Sequence, residues 1–409
     1  MNNTLRIILK KYNNTLLILI CSFVLLPEAV GVIVFLLLFV FACYNFIFFK
    51  IEKANKIILL CCSIIPFIYL ISIVYSNNKI LSFDYFVRSM LFIITPTIFF
   101  GLFKKVIANN KSHLLILSTL LISSILKLAI SLTQDTMFSV SSFWKFRVNL
   151  ENATDIHGTY WGIFFGCIVL ISFNKLLFTK IYFKQYLTII IISFIFLLLS
   201  NSKMPLISLL FVLCFLMIKK YKAKGFFYGL ITIVILASVV YTIPFTQKRY
   251  FKEVSSFSNK INYPEGIYNI NHKKISSLSV RYGVYTCAYN CFIKKPFFGY
   301  GSGDVQDTLD YCYFSNYNTN LYLIKKLNSH NQYLGFLLNN GLLGLILFLF
   351  CCFMAFKYVI DNNNVIGISI LIFFTLCMLT ENIIDRHYGA LIVTFFISSF
   401  TFLKPIKND

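Results

Sequence analysis

The chain is a succession of apolar blocks separated by short stretches rich in Asn, Lys and Ser. The blocks cover residues 15–27, 28–49, 57–75, 86–103, 113–132, 157–173, 186–200, 204–218, 225–243, 330–356, 365–380 and 388–403. Blocks of about 17–25 residues are long enough for an α-helix to cross the hydrocarbon core of a bilayer. Lipid offers no water to a backbone, so a spanning block satisfies its own N–H and C=O groups as a helix. The pattern predicts an all-α polytopic membrane protein of about twelve transmembrane helices. Residues 15–49 form one long apolar run broken at Pro27 and Glu28, which reads as a helical hairpin. Arg6, Lys10 and Lys11 ahead of an apolar core resemble a signal peptide, but no small-x-small cleavage site follows. A retained anchor is expected.

One connection is long. Residues 244–329 hold most of the polar chemistry outside the apolar blocks, which divides the chain into helices over 1–243, a large loop, and three more helices over 330–409. Within the loop, Ser279 to Pro296 reads as a helix, with Ser279 as its cap and Lys294 and Lys295 at the negative end of its dipole. Val284, Ala288, Cys291 and Phe292 give that helix an apolar side suited to the membrane interface. No pseudo-repeat of two halves is visible, which speaks against a secondary transporter.

Composition agrees with a membrane protein: 58% of residues are hydrophobic and 13% charged, too few charges for a soluble domain. The formal charge of +22 invites a nucleic-acid reading, but the basic residues are placed otherwise. With the N-terminus in the cytoplasm and connections alternating, the inner side collects Lys50, Lys53, Lys56, Lys104, Lys105, Lys175, Lys219, Lys220, Lys222, Lys224 and Lys357, among others. The outer turns keep little more than Lys79, Lys145, Arg147, Lys203 and Arg386. This is the positive-inside asymmetry. It predicts both termini in the cytoplasm, the long loop outside, and no nucleic-acid partner. Of twelve cysteines, nine lie in apolar blocks as small core residues. Cys287, Cys291 and Cys312 fall in the outer loop, where a disulfide to Cys312 can form. No spacing suggests a metal site, and no cofactor is expected.

The loop ends in Ser329-His330-Asn331-Gln332, and Gly341 and Gly344 follow inside the next block, so that His-Asn is followed nine residues later by Gly-x-x-Gly. This resembles the signature of the O-antigen ligase and O-antigen polymerase superfamily. Ser279-Val280-Arg281 with the glycine-rich turn Gly299-Tyr300-Gly301-Ser302-Gly303 is similar to that family's outer-loop helix and turn. Asn201-Ser202-Lys203 stands where the family often carries Ser-Arg, with lysine as the departure. The resemblance covers roughly residues 157–404. It implies a glycosyltransferase that passes a glycan from undecaprenyl diphosphate to an acceptor hydroxyl outside the inner membrane of a bacterium. The acceptor is another glycan for a polymerase, or lipid A-core for a ligase, and a polymerase implies a chain-length regulator as a further partner. The implied enzyme is metal-independent and inverting.

Such chemistry needs a base at the acceptor hydroxyl and cations around the leaving diphosphate. His330, at a helix start followed by apolar sequence, is the expected base, and Asn331 the group that orients it or the sugar. Arg281, whose planar fork suits two phosphate oxygens, is the first candidate clamp. Lys203, Arg386 and Arg88 follow as substrate-binding cations. Each has a plainer alternative: Lys203 as a snorkelling side chain, and Arg386 as an ion-pair partner of Glu381 or Asp385. Lys127 lies mid-span, where a charge is costly. Asp304, Asp307 and Asp310 read as a solvated face rather than a cation site. His157 is expected to cap a helix and within reach of sugar, and Tyr311, Tyr313 and Tyr317 are candidates for stacking on sugar rings. The rival class is a flippase for lipid-linked oligosaccharides or another transporter.

Overall fold

The structure, a computed structural model, describes residues 2–48, 53–104, 107, 110–134, 147, 150–152, 154–179, 181–242, 277–317, 322 and 326–402. In chain order the helices are α1 (Asn2–Cys21), α2 (Glu28–Phe48), α3 (Lys53–Tyr75), α4 (Lys79–Ser89), α5 (Leu91–Ile98), α6 (Asn110–Gln134), α7 (Gly158–Phe178) and α8 (Phe183–Leu199). There follow α9 (Lys203–Tyr221), α10 (Ala223–Thr242), α11 (Ser277–Lys294), α12 (Val305–Tyr317), α13 (Gln332–Asp361), α14 (Val365–Met378) and α15 (His387–Phe396). No strand occurs among the described residues. Among the described residues, seven helices are long and apolar enough to span a membrane, and five shorter apolar helices match the remaining blocks. The all-helical polytopic architecture is as the pattern predicts.

The fourth span begins earlier than its apolar block. Asn78 caps α4 by accepting from the Leu81 N–H at 3.1 Å, so Lys79 and Asp84 are helical although they precede the apolar block 86–103. The added segment is about two turns long, and the same helix carries Arg88 to the site described below. The centre of the bundle is α7, with 83% of its span buried. Between helices in lipid, association rests on close packing rather than on a hydrophobic drive. Gly162 accordingly faces Ser202 and Pro205 at the start of α9, and Gly166 faces the Phe373 ring of α14.

The glycine-rich turn is a latch and not a surface loop. Ser302 is buried and its Oγ lies 2.7 Å from Ser72 Oγ and 2.6 Å from Ser82 Oγ. The Asp304 carboxylate accepts from the backbone N–H groups of Asn77 and Asn78 at 2.7 and 2.9 Å, so it is a structural acceptor. On the other side, the N–H groups of Tyr300 and Gly301 bond the carbonyls of Leu338 and Asn339, and the Leu342 N–H bonds the Pro296 carbonyl. Gly341 breaks α13 here, with φ 65° and ψ −163°, and a Cβ on it would collide with the Phe297 carbonyl. Gly341→Ala is therefore expected to destabilise the protein by about 1–3 kcal/mol, from strain plus the collision. A lower melting temperature in detergent, with Gly31→Ala as a neutral control in open space, checks this. An unchanged melting temperature would mean that the break in α13 is dispensable.

Residues of the long loop build a second, smaller core. Val284, Cys287 and Ala288 of α11 pack with Leu309 and Tyr313 of α12, Tyr322, and Leu338 of α13. Cys287 and Cys312 form a disulfide with Cα atoms 5.7 Å apart, and Cys291 stays a buried free thiol beside them. The apolar side of α11 is thus spent on α12, not on a membrane interface. The helix starts at Ser277, so Ser279 lies inside it and is not its cap. Tyr313 is fully buried and stacked on Tyr322 at 4.7 Å between ring centroids, which removes it from the sugar-stacking candidates.

Candidate functional site

The site lies at the bundle end where α7, α13 and α15 begin. Asn331 caps α13, its Oδ1 accepting from the N–H groups of Tyr333 and Leu334 at 2.9 and 3.1 Å. Its amide nitrogen donates to the Leu379 carbonyl at 3.0 Å, so both ends of the side chain are engaged by backbone. Asn331 therefore fixes the turn that carries His330. That turn is further latched to the α14–α15 connection. Asn382 accepts from the Asn331 N–H at 2.8 Å, Gln332 accepts from the Ile384 N–H at 2.8 Å, and Gln332 donates to Asp385 at 3.0 Å. Asp385 is buried and also accepts from Tyr69 at 2.7 Å and Asn382 at 2.9 Å.

His330 has a left-handed backbone, φ 43°, a conformation that costs a non-glycine residue free energy and persists only where surroundings impose it. Here its N–H donates to Asn328 Oδ1 at 3.1 Å, and its carbonyl accepts from Tyr285 at 3.4 Å. The turn aims the buried Nδ1 at Glu381, 3.5 Å from Oε2, an ion-pair contact at the long limit of a hydrogen bond. The other carboxylate oxygen of Glu381 receives Arg281 Nη2 at 3.2 Å. Burial alone would raise the Glu381 carboxyl, but His330, then Arg281 and His157, hold it below the usual carboxylate range. An ionised carboxylate only accepts. Nδ1 thus faces this acceptor across 3.5 Å without a formed hydrogen bond, and a proton held on Nδ1 leaves the Nε2 lone pair free, the arrangement of a carboxylate-oriented base.

A second carboxylate–histidine pair stands nearby. Glu151 Oε1 accepts from Arg147 Nε at 2.8 Å and from the Gly158 N–H at the start of α7 at 2.7 Å, with His157 Nε2 at 3.8 Å. Burial pushes the Glu151 carboxyl up, but Arg147, His157 and the Gly158 N–H bring it down on balance. His157 caps α7, its Nδ1 accepting from the Thr159 N–H at 3.3 Å. Burial lowers its pKa, with Arg147 and His330 adding to the effect and Glu151 and Glu381 opposing it.

Both histidines line one polar cavity of about 730 Å³, within the range of ligand sites. Its other walls include Arg88, Arg386 and Lys326 as cations, and Asp155, Tyr160 and Tyr388. Through Glu28, Arg88, His387 and Tyr388 it adjoins a second cavity of about 530 Å³. That second space is mostly apolar, walled by Phe23, Leu26, Phe35, Leu91, Ile94 and Leu391.

Of the residues singled out from sequence, His330, His157, Arg386 and Arg88 come together on the polar cavity. Arg386 is exposed and, among the described residues, its side chain has no hydrogen bond or ion pair, so the expected pairing with Glu381 or Asp385 is not made. Arg88 donates to the Asp385 carbonyl at 3.1 Å and lies against the Tyr85 ring. Arg281 is turned to Glu381 and does not line the cavity. Lys203 opens α9 beside Asn201, whose carbonyl receives Arg147, but is also outside the lining. Sequence reasoning named Glu381 only as a partner for Arg386, and passed over Glu151 and Lys326. The available signal was rarity: the chain has 15 acids, and one between two apolar spans needs a partner.

Residues 188–349 match the family model described as O-antigen ligase. The matched segment runs from α8 into α13 and contains Arg281, His330 and Asn331, while Glu381, Arg386 and His157 lie outside it. No curated protein matches the chain. A polytopic helical bundle, an oriented histidine over a polar cavity and the match over residues 188–349 agree, and together they support the O-antigen ligase and polymerase superfamily.

Proposed function

We propose that the protein transfers a glycan from a polyprenyl diphosphate, of the undecaprenyl type, to the hydroxyl of an acceptor glycan or lipid A-core. The observation that carries this reading is His330, with Nδ1 held toward Glu381 and its ring on a cavity that also presents Arg88, Arg386 and Lys326. The diphosphate sits among those three cations, and its lipid chain enters the adjoining apolar cavity past Arg88. His330 Nε2 takes the proton of the acceptor hydroxyl as its oxygen bonds the anomeric carbon. The bond from that carbon to the phosphate oxygen breaks, and the electron pair leaves on the diphosphate. Direct displacement inverts the anomeric configuration. The guanidinium and ammonium groups supply the charge stabilisation that a metal provides elsewhere.

Arg281 keeps Glu381 ionised instead of clamping phosphate, and Asn331 fixes the turn. The cavity is assigned to the outer face of the inner membrane. Lys175, at the far end of α7, bonds Asn110 at the start of α6, and Lys219 and Lys220 close α9 at its far end from Lys203. This distribution supports cytoplasmic termini. The test uses the full chain in lipid nanodiscs with polyprenyl-diphosphate-linked glycan extracted from the source strain, with EDTA present. The expected product has the inverted anomeric configuration and appears at the same rate with and without EDTA. Retained configuration, or movement of the lipid-linked glycan across a bilayer without any new bond, would overturn the reading in favour of another mechanism or a flippase.

A further inference from the structure

Of the three histidines that line the cavity, His330 and His157 have opposite hydrogen-bonding senses. His330 turns Nδ1 toward the Glu381 carboxylate at 3.5 Å, which favours the proton on Nδ1 and a lone pair at Nε2. His157 spends its Nδ1 lone pair on the Thr159 N–H, so the neutral ring carries its proton on Nε2 and presents a donor. Glu151 Oε1, at 3.8 Å, is too far to consume that donor and already receives Arg147 and Gly158. The side chain is 51% exposed and lines the cavity.

The walls also differ in charge. Arg88, with Glu28 and His387, guards the passage to the apolar cavity. His157 instead feels Glu151, Arg147, Glu381 and His330, which places it on the side of the base. Its neighbours along the wall are Asp155, a carboxylate, and Tyr160, whose ring centroid lies 6.0 Å from its own. A carboxylate, an aromatic ring and a neutral N–H donor form a surface for sugar hydroxyls and the apolar face of a pyranose, and a poor one for phosphate.

We infer that Asp155, His157 and Tyr160 form a glycan subsite, in which His157 Nε2–H donates to a hydroxyl or ring oxygen of the sugar that bears the attacking hydroxyl. The inference rests on the proposed transfer reaction. In an in-line displacement the leaving diphosphate and the acceptor lie on opposite sides of the anomeric carbon. Arg88, which lines both cavities, takes the first beside the lipid chain, which leaves the base and this wall for the second.

Two substitutions separate recognition from capping. His157→Asn keeps a cap for the Thr159 N–H, since asparagine is a strong N-cap, but removes the donor at the ε position. His157→Gln keeps an N–H donor close to that position. The measurement is binding of two probes to the full chain in nanodiscs: oligosaccharide released by mild acid from the strain's own lipid-linked glycan, and inorganic pyrophosphate. His157→Asn is expected to weaken oligosaccharide binding at least tenfold and to leave pyrophosphate binding within twofold, with His157→Gln recovering most of the loss. Equal oligosaccharide binding by His157→Asn and wild type would overturn the subsite and leave His157 as a cap. A loss confined to pyrophosphate would overturn it in favour of a phosphate contact. Failure of wild type to bind oligosaccharide or to transfer glycan would bring down the proposed function, and the subsite with it.

Discussion

Alanine at position 330 is expected to abolish glycan transfer while leaving a folded protein. In the proposed reaction His330 is the proton acceptor for the attacking hydroxyl, and a positioned base contributes about 10²–10⁴-fold to such a step. Its loss is felt in kcat more than in the apparent KM for the lipid donor, because the cations that hold the diphosphate belong to Arg88, Arg386 and Lys326. Folding has other supports in this region. The Asn331 cap, the Asn382 bond to the Asn331 N–H and the Gln332 bonds to Ile384 and Asp385 do not use the imidazole. The left-handed turn at 330 does depend on the residue, and His330→Asn tolerates φ > 0 better than alanine while lacking a base. Both variants should therefore run as monodisperse wild-type-like particles and fail to restore surface glycan in a deletion strain. If either variant restores glycan to the wild-type level, His330 is not the base and the transporter reading moves ahead. The product left in the deletion strain separates the branches of the family. A core with a single repeat points to a polymerase, and a bare core with long chains still on the carrier lipid points to a ligase.

The fold was legible from the apolar blocks because every spanning helix must satisfy its own backbone in lipid, so length and hydropathy nearly determine the element. What those blocks hide is any helix that begins in polar sequence. Lys79 to Tyr85 is such a case, and the cap at Asn78 extends the span about two turns ahead of the block. His330 was legible as a motif, but its orienting partner was not. Glu381 lies 51 positions further on, and nothing in linear spacing says that the α14–α15 connection folds back on the start of α13. Bonds from Asn382 and Asp385 to residues 329–332 make that junction, and they are visible only in three dimensions. The role of the glycine-rich turn was hidden for a related reason: its glycines serve close backbone approach to the α3–α4 junction and the break in α13, which linear sequence does not show.

The Glu381 carboxylate is the second place where a small change is expected to have a large effect. It joins His330 to Arg281 through its two oxygens, so Glu381→Gln replaces an anion that fixes the imidazole tautomer by an amide that fixes it poorly. Loss of the corresponding carboxylate in buried carboxylate–imidazole pairs costs up to about 10⁴-fold in kcat, and a fall of about 10²–10⁴-fold is expected here. Arg281→Gln, acting on Glu381 rather than on the reacting atoms, should cost less than Glu381→Gln. If Arg281 bound diphosphate directly, the ranking would reverse and the KM for lipid donor would rise. Stability adds an independent readout. Burial opposes ionisation of Glu381, yet His330, Arg281 and His157 hold its carboxyl below the unfolded value. A depressed carboxyl contributes stability above the ordinary carboxylate pKa and loses it as pH falls through the depressed folded value. The melting temperature of wild type should therefore decline across that acid window, and Glu381→Gln should flatten the decline while lowering the plateau near neutral pH. A wild-type curve already flat through that window, or a Glu381→Gln variant with full transfer activity, would remove Glu381 from the site.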